Sequence, residues 1–216
     1  GVPYYVVPQL YHLMSYNVRI ENLDSIPLIT RTERREPLPS LVAKRLFDVV
    51  VSALILTLAA PLFLVFAVMI KRDSRGPVLF RQTRIGRRGK PFEMIKFRTM
   101  HVSDCGDAVA PKNEGDPRVT AIGRYLRRYS FDELPNFINV LLGQMSVVGP
   151  RPEMPFIVEG YGPLDRERLR AKPGVTGLWQ ISYARQDAIH SNLDYDLYYR
   201  SEEHTSELQS HSDLVC

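Results

Sequence analysis

Cysteine is nearly absent: Cys105 and Cys216 are the only two in 216 residues. One lies in a polar loop and the other ends the chain, so neither a disulfide framework nor a metal-binding spacing can be built from them. That sparseness fits a reducing compartment. Tryptophan occurs once, as Trp179, and internal repeats are absent. Gly1 is neither an initiator Met nor the start of a signal peptide, so the chain is expected to be a fragment. The last sixteen residues contain no Lys or Arg, only the acids Glu202, Glu203, Glu207 and Asp213. Residues 201–216 match the rest in neither charge nor pattern. They read as translated adapter sequence, and His204 and His211 within them are not taken as metal ligands.

Without that tail, 28 basic residues face 20 acidic ones, and the formal charge rises from +4 to +8. A basic body suits nucleic acid, anionic lipid or a phosphorylated small molecule, and charge alone does not choose among them. The length allows one domain plus appendages.

The choice narrows at Val49–Ile70, an apolar run with no polar face. As a straight helix its 22 residues would reach about 33 Å, enough for a bilayer core of about 30 Å. Pro61 interrupts it, leaving about 18 Å before and about 14 Å after, so neither half spans alone. Proline removes the donor for the carbonyl of Thr57, and the Thr57 hydroxyl is a local candidate to satisfy it. Lys44 and Arg45 flank one end, while Lys71, Arg72, Arg75, Arg81, Arg84, Arg87 and Arg88 follow the other. Basic residues at both ends oppose a simple crossing and favour a segment that enters and turns back at Pro61. A kinked transmembrane helix is the alternative. The run also argues against a soluble nucleic-acid binder.

Upstream, Tyr4–Val7 and Val18–Ile20 look strand-like, with a helical stretch between them. Residues 1–29 are expected to end a truncated domain, and residues 30–43 to be a charged, proline-bearing linker. Downstream, Pro77–Thr83 and Phe92–Thr99 read as strands joined at Gly86–Gly89. Alternation on the second puts Lys96 and Arg98 on one face. Residues 101–115 read as a loop or flap. Arg124, Arg127 and Arg128 share a face of the next helix, and Glu133–Leu142 reads as another, stopped by Gly143.

Asp132 and Glu133 sit side by side within this arginine-rich stretch. One acid at a helix start is adequately explained as an N-cap, and any single arginine as a solvated surface charge. Together with Lys96, Arg98, Arg124, Arg127, Arg128 and Arg151, however, the pair suggests phosphoryl chemistry. Arginines grip phosphate oxygens, and carboxylates serve as nucleophile, base or metal ligand.

The blocks Lys96-Phe97-Arg98-Thr99-Met100, Asp116-Pro117-Arg118-Val119-Thr120, Ser130-Phe131-Asp132-Glu133-Leu134-Pro135 and Met145-Ser146-Val147-Val148-Gly149-Pro150-Arg151-Pro152 occur in that order. They closely resemble the bacterial sugar transferase family, the monotopic polyprenyl-phosphate phosphoglycosyl transferases, over about Lys44–Arg200. The resemblance implies an α/β fold, α-rich with a small β-hairpin. It also implies a re-entrant helix-break-helix at residues 44–72 and a catalytic domain at 73–200 facing the cytoplasm from the bacterial inner membrane. The implied reaction moves sugar 1-phosphate from a UDP-sugar to undecaprenyl phosphate, releasing UMP, as the first membrane step of exopolysaccharide, capsule or O-antigen synthesis. Asp132 is then the nucleophile, and Glu133 holds Mg²⁺ or assists as base. Lys96, Arg98, Arg127 and Arg151 bind phosphate, and Pro61 marks the membrane break. Membrane lipid is a further partner, nucleic acid is not, and a homo-oligomer remains compatible. Where some relatives have Ser before the helix-breaking proline, this chain has Ala60. A catalytically inert, lipid-binding basic module is the competing reading from composition.

Overall fold

The computed structural model describes residues 18–23, 26–31, 38–102, 116–163, 165–177 and 180. The expected strand at Tyr4–Val7, most of the 101–115 loop, Trp179 and the 201–216 tail lie outside the described residues. Strands β1 (Val18–Leu23) and β2 (Ile26–Arg31) form an antiparallel hairpin with Val18 opposite Arg31 and Leu23 opposite Ile26. The strand therefore continues past residue 29 into the expected linker, because Thr30 and Arg31 complete the ladder with Arg19 and Val18.

Helix α1 runs from Leu38 to Asp73, beginning six residues before the membrane segment expected at residues 44–72. Pro39 is tolerated because first-turn N–H groups have no helical partner. At 1.5 Å per residue the 36 residues reach about 54 Å. Pro61 lies inside the helix, and no break in helical structure occurs there. The Thr57 hydroxyl donates to the carbonyl of Ala53 at 2.8 Å, so it does not satisfy its own freed carbonyl as anticipated. Bonds of this i−4 kind tend to bend a helix.

Burial on α1 follows one stripe: Asp48, Ser52, Ala59, Phe66 and Ile70. Their spacings of four, seven, seven and four keep them on a single face. Val50, Leu54, Leu58, Leu62, Leu64, Val65 and Val68 are exposed. Mean hydropathy reaches 2.7 over an 18-residue window, of which 17% is buried. A helix this apolar with so little covered surface is suited to lipid rather than water.

Both ends of α1 hold the same body. Near its start, Arg45 donates to the carbonyls of Val140 (2.6 Å) and Leu141 (2.8 Å). These close helix α3 (Asn136–Leu141), where a cation also suits the negative end of the helix. Asp48 Oδ1 accepts from Ser146 Oγ and the Val147 N–H, both at 2.9 Å. Near its end, Phe66 and Ile70 join Phe97 and Leu126 in one apolar cluster. Asp73 accepts from the N–H of Ile122 in the first turn of helix α2 (Ala121–Arg128).

Strands β3 (Leu79–Ile85) and β4 (Pro91–Phe97) pair antiparallel with Phe80 opposite Lys96. Both are displaced by about two residues from expectation at their starts or ends. The turn between them uses left-handed Arg88 and Gly89. The other edge of β4 is covered by a side chain. Asn139 accepts from the N–H of Ile95 (3.0 Å) and donates to the carbonyl of Glu93 (2.7 Å), imitating a neighbouring strand. A second cluster, Met94, Val140 and Met145, packs beneath. Two short parallel strands, β5 (Ser146–Val148) and β6 (Gly174–Thr176), and helix α4 (Pro155–Glu159) complete the described domain.

Two substitutions test this framework. A Cβ on Gly123 would collide with the Thr99 backbone carbonyl, so Gly123→Ala should fold poorly. Asp48→Ala strands Ser146 Oγ and the Val147 N–H, and should cost about 2–4 kcal/mol in denaturant unfolding of the detergent-solubilised chain.

Candidate active site

Ser130 adopts left-handed backbone dihedrals (φ 57°), which end α2 and turn the chain into a 3-10 segment, Phe131–Glu133. This corrects two expectations. The helix anticipated from Glu133 begins at Asn136, and Asp132 lies inside the 3-10 turn instead of capping a helix. Pro135 has no N–H to offer a cap, and the left-handed Ser130 sets the turn two residues earlier. The Asp132 carboxylate accepts no hydrogen bond from any described residue. In a 3-10 turn adjacent side chains diverge by about 120°, so Asp132 and Glu133 face different surroundings.

The turn is pinned from behind. The Phe131 ring lies 5.4 Å from that of Phe66 on α1, and Phe66 meets Phe97 edge-on at 5.8 Å. Leu134 packs against the same cluster. The apolar helix and the carboxylate-bearing turn therefore share one aromatic contact.

Glu133 Oε1 accepts from Lys96 Nζ at 2.7 Å and from Arg151 Nη2 at 3.0 Å. All three side chains are largely shielded from solvent. Burial opposes ionisation of Glu133, but Lys96 and Arg151 outweigh it and hold its pKa at about 2. Burial pushes Lys96 down from 10.5, with Glu133 pulling it back. Glu133 raises Arg151 against the effect of burial. Asp132 behaves in the opposite sense: burial lifts its carboxyl above 3.8, opposed chiefly by Lys96. Two neighbouring carboxylates are thus driven apart in pKa, the pattern expected when they divide roles.

The other expected phosphate ligands separate into two groups. Arg127 stays near the site: its charge acts on Asp132, and its Nε donates to Thr99 Oγ1 at 3.1 Å. Arg124 and Arg128 are exposed, so the shared arginine face contributes only Arg127 inward. Arg98 is placed elsewhere. β4 ends at Phe97, and the Arg98 guanidinium turns to the end of α1, donating to the carbonyls of Ser74 (2.8 Å) and Arg75 (3.1 Å) and to Ser74 Oγ (2.9 Å). It is almost completely buried there and closes the helix.

Residues not singled out from sequence support the site. Arg84 donates to Gln82 Oε1 (2.8 Å) and to the carbonyl of Pro152 (3.3 Å). Burial and then Arg151 lower its pKa to about 10, so it remains cationic at neutral pH. Its alternation with Gln82, on the same face as Met94 and Lys96, was the available signal. Arg168, buried, donates to the Arg151 carbonyl (2.9 Å) and to the Tyr161 hydroxyl (2.7 Å), and it lies 3.7 Å from Glu153. Its partners are fixed only by the tertiary fold. The Arg151 loop is also tied down where Gly149 and Gly174 approach so closely that neither accommodates a Cβ.

Lys96, Arg84, Arg127 and Arg151 thus outnumber Asp132 and Glu133, which leaves a net positive site suited to a dianionic diphosphate. Among the described residues no group of three or more His, Cys, Asp or Glu could hold a metal alone. Both hydrogen bonds to Glu133 end on Oε1, so Oε2 has no protein donor among the described residues. One or two carboxylates completed by substrate phosphates is an ordinary Mg²⁺ ligand set, and this pair fits it.

A family model described as bacterial sugar transferase matches residues 39–208. The chain is 41% identical over 201 residues to UDP-glucose:undecaprenyl-phosphate glucose-1-phosphate transferase of Klebsiella pneumoniae, covering 89% of this chain and 43% of that protein. A protein of the same name from Caulobacter vibrioides is 49% identical over 174 residues, covering 74% of this chain and 65% of that one. Undecaprenyl-phosphate galactose phosphotransferase of Salmonella typhimurium is 36% identical over 211 residues, covering 90% and 44%. The chain therefore spans from about two fifths to two thirds of these relatives.

Replacing Glu133 with Gln should cost about 3 kcal/mol at pH 7, because two shielded cations lose their shared anion. The native pKa of about 2 lies below the ordinary 4.5, so this contribution is full above about pH 4.5 and fades as the pH falls towards 2. Unfolding midpoints at pH 7 and pH 3 should converge between wild type and Glu133→Gln.

Proposed function

Because the chain belongs to the bacterial sugar transferase family, we propose that it transfers a sugar 1-phosphate from a UDP-sugar to undecaprenyl phosphate, releasing UMP. The observation that carries this reading is Asp132, a carboxylate with no hydrogen bond among the described residues, beside a Glu133 already neutralised by Lys96 and Arg151. An unengaged carboxylate is available to attack. One held between two cations is better suited to positioning charge.

The reaction runs in two displacements. An Asp132 oxygen attacks the sugar-linked phosphorus, the bond to the bridging oxygen of the diphosphate breaks, and UMP departs with that electron pair. The phosphate oxygen of undecaprenyl phosphate then attacks the same phosphorus, freeing the Asp132 carboxylate and leaving a prenyl diphosphate sugar. A carboxylate and a diphosphate repel one another, so approach needs screening. Lys96, Arg127 and Arg151 supply it from the protein, with Arg84 behind Arg151. Mg²⁺, held by Glu133 and substrate oxygens, would add Lewis-acid polarisation of the diphosphate.

The two anchored ends of α1 bear on the membrane arrangement. Arg45 and Asp48 are bound to α3 and β5, while Phe66 and Ile70 are packed with β4 and α2. A polar domain that grips both ends keeps both on its own side of a bilayer. This supports a monotopic helix embedded from the cytoplasmic face of the inner membrane. The support comes from the anchoring, since α1 has no interruption at Pro61.

Asp132→Asn should lower sugar-phosphate transfer by at least about 1,000-fold and abolish UMP release and the covalent adduct detected by mass spectrometry. Normal UMP release in that variant would exclude Asp132 as nucleophile. Because burial raises the Asp132 pKa above 3.8, kcat/KM should rise with pH through an apparent pKa above that value. An acid limb at or below 3.8 would contradict Asp132 as the ionising group.

A further inference from the structure

The segment 150–153 carries Arg151, and each of its four backbone carbonyls has a donor from another part of the fold. Pro150 accepts from the Gly174 N–H and Glu153 from the Ile85 N–H, both at 2.9 Å. Arg151 accepts from Arg168 Nη2 at 2.9 Å, and Pro152 from Arg84 Nη1 at 3.3 Å. A proline on each side of Arg151 narrows the backbone further, since a residue before proline is held in extended conformations. Two of the four donors are guanidinium groups. A neutral donor or a water would satisfy a carbonyl as well, so the charge placed here serves more than the backbone.

Arg168 is the more deeply placed of the two. Its side chain is 2% exposed, which keeps it from touching a bound diphosphate. Nη1 donates to the Tyr161 hydroxyl at 2.7 Å, and this aims the other arm of the planar fork, Nη2, at the Arg151 carbonyl. Glu153, also buried, supplies the counter-charge at 3.7 Å. That distance is too long for a hydrogen bond, and Glu153 Oε1 has no hydrogen-bond partner among the described residues. Glu153 therefore acts through its field, which reaches three guanidiniums. It raises the Arg151 pKa after the larger effect of Glu133, and it opposes the burial and the Arg151 charge that lower Arg84. Without it, Arg84, Arg151 and Arg168 would repel one another across one short loop. Glu133 thus holds the Arg151 side chain, and Arg168 with Glu153 holds its backbone.

We propose that Arg168, with Glu153 as its counter-ion, is a positioning residue for the transfer: it fixes the backbone from which Arg151 reaches Glu133 and the donor diphosphate. The catalytic consequence rests on the transferase reading, whereas the effect on the Arg151–Glu133 contact does not. Lysine cannot replace Arg168, because an ammonium lacks the rigid fork that joins Tyr161 to the Arg151 carbonyl. Misplacing a charged group by about 1 Å can lower a rate by about 100-fold, so turnover should register the change.

The test is a pair of double-variant comparisons on the detergent-solubilised full chain. The donor is whichever of UDP-glucose and UDP-galactose the wild type turns over. Arg168→Lys keeps the charge and should lower kcat/KM by about tenfold or more, chiefly in kcat. In an Arg151→Lys background the same change should lower it by less than about twofold, because its route of action is already gone. The second comparison needs no turnover. Glu133→Gln lowers the denaturant midpoint at pH 7, and in an Arg168→Lys background that shift should be about half as large, since only Lys96 still grips Glu133. If Arg168→Lys does not fold, Tyr161→Phe removes only the hydroxyl and should couple in the same sense. Additive effects in either comparison would overturn the proposal, as would undiminished turnover by folded Arg168→Lys. No transfer by the wild type, with the unfolding shifts still coupled, would sink the transferase reading and leave the positioning of Arg151 standing.

Discussion

The Glu133 carboxylate, held between Lys96 and Arg151, is the constraint around which the described domain is organised. Each partner comes from a different element: Lys96 from β4, Arg151 from the loop after β5, and Glu133 from the turn between α2 and α3. Bringing three charges together with so little solvent is unfavourable unless they neutralise one another. The pairing therefore demands a close fit between elements. That demand explains the supporting bonds: Asn139 fixes the edge of β4, Arg168 holds the Arg151 backbone, and Phe131 fixes the turn.

A consequence is that α1 and the site are coupled mechanically. Phe66 packs on both Phe97, one residue beyond Lys96, and Phe131, one residue before Asp132. At the opposite end, Arg45 and Asp48 hold α3 and β5, and so the scaffold of Asn139 and Arg151. The apolar helix is part of the domain's own packing as well as its lipid-facing surface. The proposed reaction, which joins a water-soluble sugar nucleotide to a lipid phosphate, would need its nucleophile at a fixed height above the membrane, and a helix gripped at both ends would provide that.

Reading the chain residue by residue recovered what local chemistry governs. The apolar run was evident because hydropathy is a property of consecutive residues, and the Asp132–Glu133 pair because its ordered arginine-rich neighbours resemble a known family. Arg98 shows where such reading stops. Alternation placed it with Lys96, but the strand ends at Phe97, and the open carbonyls at the end of α1 attract the guanidinium. Asn139 and Arg168 carried no distinguishing local pattern, since their importance lies in partners brought close only by folding.

The amino-acid sequence by itself determined that this protein carries a lipid-compatible helix and a carboxylate pair amid cations, because both are written in contiguous residues. Tertiary structure alone decided which cation meets which acid, that Asp132 accepts no hydrogen bond from a described residue while Glu133 is neutralised, and that both ends of α1 grip one body. Those outcomes depend on distances between segments remote along the chain, and electrostatic and packing energies respond to those distances.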